Sequence, residues 1–229
     1  MTPTARIDHL VVAADTLAQG EAWCEATLGV VPGPGGQHPL MGTHNRLLRI
    51  ATVDHPRAYF EIIAADPAVP VAPEGRQRWF DLDDARVRQL LRDDGPRLLH
   101  WVVQVPDLQA AVDALAAQHI DRGRILSASR MTPRGLLQWQ ITVRDDGQRL
   151  FDGCLPTLIA WGETHPASGM PDSGVSLHRV TVRHPRADAL RRALDAIGLQ
   201  RIDVAEGATA LCATLLTPRG TVRLASGGI

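Results

Sequence analysis

The chain has 229 residues, a formal charge of −1 and 45% hydrophobic residues, enough apolar material for one large core or two small ones. There is no basic excess to bind nucleic acid, and no apolar run reaches the roughly 20 residues of a membrane-spanning helix. All 24 basic residues are arginine, which excludes Schiff-base chemistry and any lysine general base.

Residues 1–6 lead straight into the first apolar segment, so the expectation is a cytoplasmic chain without a leader peptide. The abundance of Ala, Arg, Gly and Pro points to a bacterial genome rich in GC. Cys24, Cys154 and Cys212 are far apart and show no C-x-x-C spacing, as buried reduced thiols would.

Ile7-Asp8-His9-Leu10-Val11-Val12-Ala13 reads as a buried β-strand carrying one imidazole. Asp15 is the expected N-cap of a helix over 16–28, which Gly29 ends. Val30-Val31 begins a short strand, and Pro32-Gly33-Pro34-Gly35-Gly36 is a loop by composition. Strands follow at 46–51 and 58–63, giving the order β-α-β-β-β. Residues 67–97 form a connector in which Asp83 caps a short helix ending near Gly95-Pro96.

At Leu98-Leu99-His100-Trp101-Val102-Val103 the first strand is echoed. Leu108 follows His100 by eight positions, as Leu17 follows His9. A helix over 107–119 and strands at 125–131, 136–143 and 156–161 repeat the order. A third echo, Ser176-Leu177-His178, opens a shorter unit with a helix over 185–197 and strands at 201–204, 210–216 and 221–225. Thr217-Pro218-Arg219-Gly220 matches Thr132-Pro133-Arg134-Gly135 almost letter for letter. Recurrence at a fixed phase marks repeats of one supersecondary unit. The fold class is therefore α+β, with tandem βαβββ modules over 5–66 and 98–162 in a domain spanning 1–166, and a third βαβββ unit over 175–229. The third unit has no sequence-internal partner. It is expected to pack on the first pair, with the 83–95 helix as neighbour, or against a second chain in a homodimer.

His in the first strand and Glu61 in the last resemble the vicinal oxygen chelate superfamily. More narrowly, Gly35-Gly36-x-His38, Gly42-Thr43-x-Asn45, Tyr59-Phe60-Glu61-Ile62-Ile63, Ser129-Arg130 and Ile159-x-Trp161 look like the bacterial glyoxalase-like domain family. The resemblance implies two modules cupped around a pocket, a small-molecule ligand, and metal ligands on the first and last strands. Carried over residue by residue, those ligands are His9, Glu61 and His100, with no carboxylate at the fourth position, around residues 157–160. Two imidazoles and one carboxylate suit a divalent metal such as Fe, Zn, Mn, Co or Ni. The competing reading is structural: His178 occupies the same register without a partner, and Glu61 could be hydrogen-bonded to His9 or Asn45 with no ion.

Glu61 is also the candidate catalytic base, with its pKa raised by apolar neighbours unless a metal or His9 offsets this. His38, Thr43, Asn45, Tyr59, Arg130 and Trp161 are the expected substrate contacts, although the Gly35–Asn45 polar groups could equally satisfy their own backbone. The functional expectation is a metal-dependent lyase, isomerase or dioxygenase acting on a small carbonyl or vicinal-oxygen compound. The alternative is a metal-free small-molecule-binding protein.

Overall fold

The computed structural model describes residues 4–69, 76–132 and 135–228. The Pro70 and Pro73 of the connector and the Pro133-Arg134 turn lie outside the described residues. The first module contributes β1 (Arg6–Ala13), α1 (Leu17–Leu28), β2 (Gly33–His38), β3 (Thr43–Arg49) and β4 (Tyr59–Ala65); α2 (Ala85–Asp93) lies in the connector. The second contributes β5 (Arg97–Gln104), α3 (Leu108–Ala116), β6 (Arg124–Thr132), β7 (Gly135–Val143) and β8 (Thr157–Trp161). Both expected β-α-β-β-β orders are present.

The eight strands form one curled, half-barrel sheet in the order β2-β3-β4-β1-β5-β8-β7-β6. In each module the first strand runs parallel to the last, β1 beside β4 and β5 beside β8. Antiparallel pairing of β1 with β5 sews the modules together. The β1 strand can occupy the centre because residues 7–13 are apolar enough to be covered on both faces.

One face takes Leu10 and Val12, packed against Leu17, Cys24 and Leu28 of α1 and Leu108 and Leu115 of α3. The other takes Val11, Ala13, Ile63, Val102 and Ile159, with Trp79 and Phe80 from the connector. Helix α1 lies close on β4 because Gly20 has no side chain: a Cβ there would stand 2.4 Å from Ile62 Cγ2.

The third unit comprises β9 (Ser176–Arg183), α4 (Ala187–Ala196), β10 (Asp203–Ala205), β11 (Ala210–Thr217) and β12 (Gly220–Ala225). Its succession matches the modules, but its strand order is β10-β9-β11-β12, with β9 parallel to β10 rather than to the last strand. Its apolar residues Leu177, Val180, Leu190, Leu194, Leu211 and Leu215 join the same core as α1 and α3. Leu177 N–H donates to Ile50 O at 2.9 Å, and Gln118 Nε2 donates to Arg192 O at 3.2 Å. The unit's apolar face is thus buried within the chain. Its neighbours are β5 and α3, not the connector helix, whose Val87 and Leu91 pack with Trp79 and Phe80 in the other cluster. No helix among the described residues is long and apolar enough to cross a membrane.

Three local expectations change. Thr16 caps α1, its Oγ1 accepting from Gln19 N–H, because the helix starts one residue later than the Asp15 reading. Asp84 caps α2, leaving Asp83 free to accept from Arg78. Residues 33–36 of the expected Pro32–Gly36 loop instead open the edge strand β2, and Val30-Val31 precede it outside any strand. The glycines there serve close approach rather than turning: a Cβ on Gly35 would lie 2.1 Å from Asn45 O.

Candidate functional site

The site sits on the concave face, and a backbone irregularity in β1 creates it. Ile7 pairs with Val103 and His9 with Val102, so Asp8 is an extra residue in a β-bulge. Strict alternation would send Asp8 and His9 to opposite faces. With the bulge, His9 Nδ1 hydrogen-bonds Asp8 Oδ1 at 2.7 Å, both side chains almost fully buried. Trp161 Nε1 donates to Asp8 Oδ2 at 2.8 Å and His165 Nε2 does so at 2.9 Å. The His165 orientation follows from its other nitrogen, which accepts the Ala167 N–H at 3.1 Å.

On the far side of the imidazole, His9 Nε2 lies 3.5 Å from Glu61 Oε2. The other Glu61 oxygen accepts from Asn45 Nδ2 at 2.5 Å, and Asn45 Oδ1 accepts the Gly36 N–H at 2.7 Å. Asn45 Nδ2 also lies 3.3 Å from His38 Nε2, whose Nδ1 meets Thr43 Oγ1 at 3.0 Å. Asn45, His38 and Thr43 thus form a brace behind Glu61. The Tyr59 ring stacks on His9 with centroids 4.5 Å apart.

Electrostatics follows from this packing. Burial alone would raise the Asp8 pKa, but hydrogen bonds from His165 and His9 outweigh it and hold the carboxyl far below the usual range. Burial would lower the His9 pKa, yet Asp8 and Glu61 together raise it to about 9, so the ring is an imidazolium at neutral pH. For Glu61, burial raises and the bonds from His9 and Asn45 lower; the net direction is down. The upward tuning expected from apolar neighbours is therefore overridden by His9. His38 is pushed down to about 4 by burial and stays neutral. Burial and the nearby Asp8 and Glu61 charges raise the Tyr59 hydroxyl well above its ordinary range.

Because the His9 pKa is raised from 6.5 to about 9, its stabilisation is complete below about pH 6.5 and lost as pH rises through 9. Urea unfolding is expected to show a stability drop of a few kcal/mol between pH 7 and 10, absent in His9→Asn.

His100 does not join this group. Its Nε2 accepts from Thr157 N–H at 3.2 Å and lies 3.0 Å from Thr157 Oγ1, and its ring tilts against Phe80 at 5.0 Å. Burial and the Arg122 guanidinium hold its pKa well below the ordinary value. Register explains the asymmetry: Val11 faces Glu61 while Val102 faces Thr157, so Thr157 is the positional counterpart of Glu61. Arg122 Nη2 donates to that threonine at 2.9 Å. His178 lies exposed on β9.

The donors do not fit a metal. His9 Nδ1 is held by Asp8 at 2.7 Å and His100 Nε2 by Thr157, so at most His9 Nε2 and a Glu61 oxygen, 3.5 Å apart, could reach one ion, short of the three protein ligands of a catalytic site. Among the described residues no three His, Cys, Asp or Glu side chains are disposed to hold an ion.

His9, Glu61, Tyr59, Asn45, His38 and Trp161 line a small cavity of about 40 Å³ together with Trp79, Phe80 and Arg130. Its walls continue into a cleft of about 1210 Å³ between β2–β3 and β6–β7, with His38, Leu47, Trp79, Arg130, Leu137 and Trp139 among the residues common to both. Thr43 is fully buried and lines neither.

A family model described as "Glyoxalase-like domain" matches residues 7–198. The chain belongs to the glyoxalase-like domain family. Among solved structures, this glyoxalase-like chain resembles a hypothetical protein from Staphylococcus aureus at TM-score 0.60 and 14% identity, covering 96% of this chain and 85% of that one. At that identity the likeness concerns the fold. It also matches methylmalonyl-CoA epimerases. The Streptomyces coelicolor epimerase, in complex with 2-nitronate-propionyl-CoA, has TM-score 0.40 and 16% identity, covering 69% and 94%. The Mycobacterium tuberculosis epimerase has TM-score 0.36 and 17% identity, covering 68% and 85%. No curated protein matches.

Asp8, Trp79 and His165 were not legible as site residues. The adjacency Asp8-His9 was visible, but only the bulge puts both on one face.

Proposed function

We propose that this glyoxalase-like chain is a lyase or isomerase that moves a proton at a carbon next to a carbonyl of a small molecule, using side chains alone. The observation that carries this reading is the pairing of an ionised Glu61 with a cationic His9, Oε2 to Nε2 at 3.5 Å, at the floor of the cavity. Glu61 Oε1 is held by Asn45, which leaves Oε2 as the oxygen able to take a proton from carbon. Charge then develops on the carbonyl oxygen, and the His9 Nε2–H is the nearest cationic donor to stabilise it and to return a proton. Asp8 serves as a positioning residue: it holds the ring and keeps it charged.

The residues do not suit a metal, so no step is routed through one. A second reading, a protein that binds and sequesters a small apolar molecule, draws support from the size of the outer cleft. Incubating the chain in D₂O with 2-hydroxy and 2-oxo carbonyl compounds separates the two. Deuterium entering the carbon next to the carbonyl supports the enzyme, and binding without exchange supports sequestration.

A further inference from the structure

The polar atoms left over at the floor of the cleft are all hydrogen-bond donors. Trp79 Nε1, on a residue only 8% exposed, is buried with no partner among the described residues. Arg130 Nε and Nη1 are likewise buried and unpartnered among the described residues. Both residues line the small cavity beside His9 and Glu61 as well as the cleft outside it. Buried guanidinium N–H groups left without acceptors cost free energy that an incoming acceptor restores.

The Arg130 position is built into β2 as well as β6. A Cβ on Gly36 would stand 1.5 Å from Arg130 Nη1, so the glycine is what lets the guanidinium lie against the strand. Gly36 N–H itself is spent on Asn45. Two donors on Arg130 and one on Trp79 match a carboxylate, which accepts through two oxygens.

Beyond this floor most of the cleft's walls are apolar, with Arg49, Ser127, Ser129 and Asp172 among the polar residues that also line it. Leu47, Leu137, Trp139 and Ile141 form its walls, and Val31, Leu40 and Met131 stand at its rim while 68%, 46% and 75% exposed. Apolar side chains gathered round one mouth mark a binding surface better than the same residues scattered.

We propose that Arg130 and Trp79 form a carboxylate subsite and that the substrate is an amphiphilic acid, its carboxylate at the floor beside Glu61 and its alkyl or aryl body along the cleft. This rests on the proton-transfer reading for what happens next, but the binding claim stands apart from it.

Calorimetric titration of the full chain with decanoate, acetate and decanol tests the proposal. Decanoate is expected to bind at least about 100-fold tighter than acetate, since each buried methylene contributes about fourfold. Arg130→Met is expected to weaken decanoate by about 10- to 100-fold and leave decanol unchanged. Gly36→Ala, which keeps the arginine but displaces it, is expected to act in the same direction. Leu40→Ser with Met131→Ser is expected to weaken decanoate and not acetate.

Decanoate binding Arg130→Met as tightly as the wild type overturns the subsite, as does decanol binding as tightly as decanoate. A dimer that buries Leu40 and Met131 and excludes decanoate assigns the rim to a second copy and also overturns it. Any of these leaves the role of Glu61 standing, which is judged on turnover and not on binding.

Discussion

Replacing Glu61 with Gln is expected to lower turnover by about 10²- to 10⁴-fold, the usual worth of a positioned proton acceptor. The fold is expected to persist. Gln keeps the shape, and its carbonyl can still accept from Asn45, which approaches Glu61 at 2.5 Å. His9 retains Asp8 at 2.7 Å, so its charge remains paired. The expected signature is loss in kcat with little change in KM or in unfolding midpoint, as for a group acting only in the transition state. Deuterium exchange into substrate is the readout. Exchange at the wild-type rate in Glu61→Gln removes this carboxylate from the chemistry and favours sequestration.

Asp8→Ala carries the largest expected effect on stability. Asp8 is 1% exposed and accepts from His9, Trp161 and His165. Its removal strands the donors of His9 and His165, both buried, and of the half-buried Trp161; the His9 donor is cationic. Breaking a buried ion pair from one side costs about 3–5 kcal/mol, so denaturant unfolding is expected to show a loss of that order. Asp8→Asn keeps one acceptor and the shape, and is expected to cost less while lowering the His9 pKa. The acid side has the opposite sign from His9. Because the Asp8 pKa is depressed, its contribution is present above about pH 4 and lost as the pH falls through its folded value. A loss under about 1 kcal/mol in Asp8→Ala would contradict this account of the site.

The two modules were readable because their periodicity is carried by side chains. The echo of His9 in His100, each eight residues before a helical leucine, fixes strand, helix and phase together; Leu17 and Leu108 are indeed the first residues of α1 and α3. The family followed from the Gly-, His- and Glu-containing motifs, which lie within the matched residues. Pairing was less legible, because strand order depends on which edges meet in space. The third unit shows the same succession and even the same hairpin bond, Thr217 Oγ1 to Gly220 O at 2.9 Å beside Thr132 Oγ1 to Gly135 O at 2.8 Å. Yet it places β10, not its last strand, beside β9.

The candidate site was half legible. His9 and Glu61 were visible as strand residues at matched registers. Asp8 was hidden because a bulge is a backbone feature that no alternation pattern reveals. Trp79 and His165 come from aperiodic connections, where position depends on tertiary packing. Thr157 explains why His100 goes its own way: without a carboxylate at the Glu61 counterpart, its imidazole turns to the threonine and Arg122.

The central claim is that His9 is a cation clamped by Asp8 and Glu61, acting without a metal. ¹⁵N NMR of the histidine ring nitrogens, recorded against pH with and without equimolar Zn²⁺, tests it most directly. Both His9 nitrogens are predicted to be protonated at pH 7, to titrate near 9, and to be unmoved by zinc. A His9 Nε2 that is unprotonated at pH 7 and shifts on adding one equivalent of zinc would contradict the account.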